Sequence, residues 1–255
     1  LFPYTTLFRS PSGPNAAGLS RFFVSIEGSL KMKKLMSLVL VVALAVLSTG
    51  CATKAKMAFE DDTEKLADKS KPVLLMTATI KNSYKTSYQP KVLVLHVEKP
   101  GAAEAKDRLN FVMDDKAKDE SDDPAKGSSY FIRMEMEPGT YDIRGMTSMA
   151  RSFPVISSFF TPMHSSLDVK GSGVIYLGHV EATVRERQGN EFKAGPSIPL
   201  LDQALSGASG GTFDVTITDA FATDEALFRN RFPALKGAVI TKQILAPFDR
   251  AKAQD

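Results

Sequence analysis

The 255-residue sequence has a single cysteine, no tryptophan and three histidines. One cysteine excludes a disulfide framework, and three scattered histidines offer no zinc-type spacing. The lack of tryptophan removes the best stacking surface for a sugar. Charge of one sign is also missing. Lys and Arg number 32 against 29 Asp and Glu, and the first fifty residues hold five of the basic ones (Arg9, Arg21, Lys31, Lys33, Lys34) against Glu27 alone. The remainder is near neutral, so the basic footprint of a nucleic-acid binder is absent. With 43% hydrophobic residues, 17 Gly and 14 Pro, the composition is that of a globular chain.

The first fifty residues read as something other than fold. Residues 1–10 (LFPYTTLFRS) resemble, over their whole length, the translation of a common sequencing adapter. Residues 11–31 read as translated upstream sequence, with Met32 as the start. From Met32 the chain runs MKKLMSLVLVVALAVLSTGC. Lys33 and Lys34 precede an apolar stretch, Leu35 to Leu47, that is shorter than the roughly twenty residues a membrane span needs but suits a secretory signal core. Ser48, Thr49 and Gly50 then lead to Cys51.

This segment, 32–50, resembles a bacterial lipoprotein signal peptide. The resemblance implies that the Cys51 thiol carries a diacylglycerol, that acylation (palmitate) follows, and that Cys51 is the mature N-terminus. Ser48 stands where Leu is commonest in that family. A lone exported cysteine needs no disulfide partner if it is lipidated. Ala52 follows in place of the aspartate that the resembled sorting rule uses for inner-membrane retention. The implied location is therefore the bacterial outer membrane, periplasmic face, lipid-anchored.

Residues 51–71 are charged, alanine-rich and poor in apolar residues, which predicts a tether. A globular domain is expected over 72–248 and a tail over 249–255. Within the domain the period is mostly two. VLLMTATI (73–80), VLVLHV (92–97), NFVM (110–113), YFIRMEM (130–136), TYDIR (140–144), VIYLGHVEATV (174–184) and TFDVTIT (212–218) read as strands between Gly, Pro, Asn and Asp clusters. Phe221, Leu227, Phe228, Phe232 and Leu235 follow helical spacing, with Thr223, Asp224 and Glu225 as a start and Pro233 and Gly237 as a stop. A last extended segment is expected over 238–245. The predicted fold class is mainly β: an antiparallel β-sandwich with one short C-terminal helix.

EPGTYDI (137–143) and LDVKGSGVIYLGHV (167–180) resemble a pattern of transthyretin-like and carboxypeptidase-regulatory-like β-sandwich domains found in bacterial lipoproteins of unknown function. A Pro-Gly-x-Tyr turn opens one strand and a later Gly turn opens a second. The motifs are short, cover about half of the mature chain, and transfer no catalytic residue.

Candidate chemistry is sparse. Gly207-Ala-Ser-Gly-Gly211 matches G-x-S-x-G, but a strand follows it and His96, His164 and His179 all precede it, against the order of a nucleophile elbow. No Gly-Lys-Ser/Thr closes it as a phosphate loop. Asp114, Asp115, Asp119, Glu120, Asp122 and Asp123 lack the alternating spacing of a calcium loop and enclose Lys116 and Lys118, so a solvated loop is the plainer reading. Met134, Met136, Met146, Met149 and Met163 with His164 supply copper-type ligands, against the commoner use of methionine as core filler. Phe153, Val155, Ile156, Phe159 and Phe160 are the candidate interaction patch.

The expected protein is non-enzymatic, without catalytic residues, metal or cofactor beyond the lipid. It would act at the membrane as an accessory module on an envelope protein or peptidoglycan. The alternative is a periplasmic ligand- or metal-binding module using a pocket in the sandwich.

Overall fold

The computed structural model describes residues 52–196 and 204–254. Eleven strands occur in this part of the chain: β1 (Thr53–Ala55), β2 (Val73–Asn82), β3 (Lys91–Glu98), β4 (Arg108–Val112), β5 (Lys118–Asp119), β6 (Ser128–Glu135), β7 (Gly139–Ser152), β8 (Val155–Val169), β9 (Val174–Glu186), β10 (Gly211–Thr218) and β11 (Ile240–Lys242). The α-helix α1 covers Phe221–Arg231, and Pro233–Leu235 forms a 3-10 turn behind it.

One sheet has the order β1-β4-β3-β7-β8 and the other β10-β9-β2-β6-β5, with β11 also on β9. Both are mixed, which corrects the antiparallel expectation. β1 runs parallel to β4, and β9 pairs in parallel with both β2 and β11. The physical reason lies in β2. Its run Val73–Ile80 is buried along its whole length but for Thr79, as a strand covered on both faces must be. Leu74, Met76, Ala78 and Ile80 enter one core that also takes Val92, Leu95, Ile143, Met146 and Phe159 from the other sheet. Val73 and Leu75 enter a second core with Phe59, Tyr176, Phe228, Phe232 and Leu235. A strand with two covered faces takes a parallel neighbour across a long connection as readily as a hairpin neighbour.

The expected tether is part of the fold. Thr53, Lys54 and Ala55 pair with Leu109, Asn110 and Phe111, and Met57, Ala58 and Phe59 are buried. Phe59 takes a left-handed backbone with φ of 60° and sits in the second core. Apolar residues too few for a helical face are enough here, because three consecutive ones cap an existing sheet. The buried Arg133 fastens the segment. Its Nε donates to the Ala58 carbonyl at 2.7 Å, its backbone N–H to Met57 Sδ at 3.4 Å, and its Nη2 to Asp114. The tail is attached as well, through Arg250 to Asp214 at 2.6 Å and to the Phe213 carbonyl at 2.7 Å.

The helix starts two residues earlier than expected. Asp219 accepts from the Phe221 N–H at 3.1 Å, leaving Asp224 inside the first turn and buried. Leu227 points outward. The last segment extends β9: beyond β11, Gln243 and Leu245 N–H groups donate to the Tyr176 and Leu177 carbonyls, both at 2.9 Å.

Candidate functional site

The longest local structure is the β7–β8 hairpin, 14 and 15 residues paired from Gly139↔Val169 to Ser152↔Val155. The 153–160 segment, which holds the candidate interaction patch, is thus its turn and the start of its second strand. Side chains alternate along it, as strand geometry requires. Met146, Ser148 and Ala150 on β7 and Ser157, Phe159 and Thr161 on β8 are buried. Halfway along, Ile143↔Ser165 and Gly145↔Pro162 bracket a bulge, with His164 at φ 47°. Gly145 is needed there: a Cβ would stand 2.2 Å from the Thr161 carbonyl oxygen.

β3 begins opposite Met149, so the last three rungs of the hairpin run past it. This tip holds Phe153, which is fully exposed, Ile156 at 60% exposure, and exposed Arg151 and Pro154. The candidate patch therefore divides. Phe153 and Ile156 face solvent, Val155 and Phe160 are half-buried, and Phe159 lies in the core against Phe213 with ring centroids 6.3 Å apart. A run of apolar letters became one exposed tip and one buried rung because a strand sends neighbours to opposite faces.

Between Asp142 and Asp168 the hairpin's own charges are basic, Arg144 and Arg151, although Arg144, at the bulge, pairs with Glu98 at 3.5 Å and Glu120 and Asp122 stand near Arg151. Arg151 Nε lies 3.2 Å from Met149 Sδ, and among the described residues no carboxylate pairs with it. Beside the tip runs a groove of about 580 Å³ whose walls include Lys91, Leu93, Glu120, Met149 and Arg151. A larger cavity of about 740 Å³ lies by the 56–69 segment; five carboxylates and three lysines line it, with Lys69 paired to Glu64 at 2.6 Å and Glu135 at 3.1 Å, and Lys116 to Asp62 at 2.6 Å.

The other sequence candidates are dispersed. Cys51 lies outside the described residues. Met134, Met136, Met146 and Met163 fill the core. His96 is engaged at both nitrogens, with Asn110 Oδ1 2.8 Å from Nδ1 and the Thr147 hydroxyl 2.7 Å from Nε2. His164 is held below the usual histidine range by burial and by Arg144. Asp114 is committed to Arg133, and the Gly207–Gly211 segment is a turn entering β10. Among the described residues no three of His, Cys, Asp and Glu come together as a metal-binding group, and no helix is long and apolar enough to cross a membrane.

One polar cluster has no signal in the sequence. Between Leu75↔Tyr176 and Thr77↔His179 the β9 strand carries one extra residue, which brings Tyr176 and His179 to the same side of the sheet. There the Asp224 carboxylate accepts from the Tyr176 hydroxyl at 2.6 Å and from the Thr77 hydroxyl, and Thr77 in turn lies 2.8 Å from His179 Nδ1. With Thr77 donating to Asp224, His179 must donate through Nδ1. Burial and the neighbouring carboxylate raise the Tyr176 hydroxyl far above its usual range. Thr77 and Asp224 are too buried to meet a substrate, so the cluster pins α1 to the sheet.

Comparison of the chain with protein-family models, with curated proteins and with solved structures finds no match.

Proposed function

We propose that this chain is a non-enzymatic lipoprotein of the bacterial envelope, lipid-anchored at Cys51 on the periplasmic face of the outer membrane. Its body, a β-sandwich of the transthyretin-like kind, holds an interaction tip away from the anchor. The observation that supports the anchor is the sequence MKKLMSLVLVVALAVLSTGC over 32–51; within the described domain, Thr53 and the hairpin tip lie far apart on the same strand framework. Thr53, two residues after Cys51, is already in β1 and level with Leu109, Val97 and Ile143. β1 runs the same way as β4, toward the Lys91 end of β3. Phe153 is ten residues beyond Ile143, about 33 Å at the strand rise.

The pocket alternative has less support. The shared core of the two sheets is filled by large side chains, Met76, Met134, Met146, Phe159 and Phe213 among them.

The reading is tested by fractionating cells that make the wild type and Cys51→Ala. The expected result is wild type in the outer-membrane fraction and the variant in the soluble periplasm, because one acyl-bearing residue is the whole anchor. Equal membrane partitioning of both would refute it. Cross-linking pull-down from intact envelopes then separates an envelope protein from peptidoglycan as the partner.

A further inference from the structure

Almost no free chain separates the lipid-bearing residue from the folded body. Thr53 is in β1, level with Leu109, Val97 and Ile143, and its hydroxyl donates to the Ala105 carbonyl at 3.1 Å. It follows Cys51 by two residues, a reach of at most about 7 Å even when fully extended. A flexible tether over 52–71 would instead set a mean separation of about 25 Å. In the fold β1 is paired with β4, and Met57, Ala58 and Phe59 are buried directly after it. A lipid on Cys51 therefore decides which end of the domain lies against the bilayer.

The strand registers say what that end is made of. β1 runs parallel to β4, so the residues before Thr53 lead toward Arg108 and the 99–107 turn. Glu98 stands opposite Asp142 and Gly139 opposite Val169, which brings the 170–173 turn to the same end. Val239 precedes Ile240, whose parallel partner is Val174, so it lies beside that turn, 81% exposed. The exposed residues of the two turns are short, among them Pro100, Gly101, Ala103 and Ser172. Neighbouring carboxylates are already neutralised: Lys106 lies 2.8 Å from Glu104, Lys71 2.9 Å from Glu137 and Lys170 2.7 Å from Asp168. Such surface pairs are weak, and a lysine's long stem lets its ammonium exchange a carboxylate for a headgroup phosphate.

We infer, on the lipid anchor proposed above, that the 99–107 and 170–173 turns with Val239 form a membrane-facing surface seated on phospholipid headgroups. The β7–β8 tip then points away from the bilayer. Because a paired strand follows the lipid at once, this orientation is fixed rather than averaged.

The test uses the full chain purified in its lipidated form and placed in vesicles of phosphatidylethanolamine and phosphatidylglycerol. Cys51 is the only cysteine, and a lipidated thiol takes no maleimide, so an introduced cysteine carries the only fluorophore. Ala103→Cys, Ser172→Cys and Val239→Cys probe the membrane-facing surface, and Phe153→Cys the far tip, all at exposed positions. Nitroxide on the lipid headgroups should quench the first three roughly fivefold more than the fourth, which lies about 33 Å of strand beyond Ile143. Equal quenching at all four positions, or the strongest at 153, would overturn the orientation. Wild type reports the anchor separately: it should float with the vesicles and take no label. A wild type that takes label or stays in solution would overturn the anchor and the seating together. Chains that float while 103, 172 and 239 stay unquenched would overturn the seating alone.

Discussion

Replacing Asp114 by Asn should be among the most damaging single changes outside the apolar cores. Arg133 is fully buried, yet it keeps four links: to the Ala58 carbonyl at 2.7 Å, to the Phe131 carbonyl at 2.8 Å, to the Asp114 carboxylate, and through its guanidinium face to the Phe232 ring at 4.2 Å. Burial pulls its pKa below the usual arginine value while Asp114 opposes that pull. Asp114→Asn preserves shape and can still accept from the Ala117 N–H, now 2.6 Å from Oδ1, but it removes the compensating charge. Leaving one member of a buried pair uncompensated costs about 3–5 kcal/mol. Arg133→Met keeps volume but strands the Ala58 and Phe131 carbonyls, at about 1–3 kcal/mol each. The double variant should therefore lose less than the two single losses added, by up to about 3 kcal/mol. Urea denaturation followed by far-UV circular dichroism suits a chain without tryptophan. A loss below about 1 kcal/mol for Asp114→Asn, the value of an exposed pair, would refute the reasoning.

Phe59→Ala should cost about 3–5 kcal/mol, as for a core aromatic; a change under ~1 kcal/mol in the same denaturation assay would return the 52–71 segment to a tether. Gly145→Ala should cost about 1–3 kcal/mol through overpacking against the Thr161 carbonyl, and an unchanged thermal midpoint would contradict the bulge geometry. Glu191 should titrate at about 2, since the Arg185 guanidinium and the Gln188 N–H favour its charged form. The stabilisation is present above the ordinary glutamate range and is lost as pH falls through about 2. In Arg185→Ala, carboxyl-carbon NMR should find Glu191 moved up toward the ordinary value near 4.3, and no movement would dismiss the pairing.

The period-two runs were legible because residues such as Tyr130, Ile132 and Met134 face one side and all enter one core. β2 was legible as a strand but not as a parallel one, since an all-buried run states that both faces are covered without saying by what. What covers it, α1 and the Met57–Phe59 corner, depends on pairing across more than fifty residues of chain, such as Thr53 with Leu109. Chain separation also hid the contacts of Arg133 with Asp114, 19 residues apart, and of Thr77 with Asp224, 147 apart. At the candidate site, the apolar run 153–160 was conspicuous in the letters. Its division into an exposed tip and a buried Phe159 required the hairpin register.

The central claim is the anchor, and mass spectrometry of the mature N-terminal peptide tests it most directly. The account predicts a chain beginning at Cys51 with a diacylglyceryl thioether and an acylated amine, the preceding residues removed. A protein that retains the 32–50 segment, or one that begins at an unmodified Cys51, would contradict it.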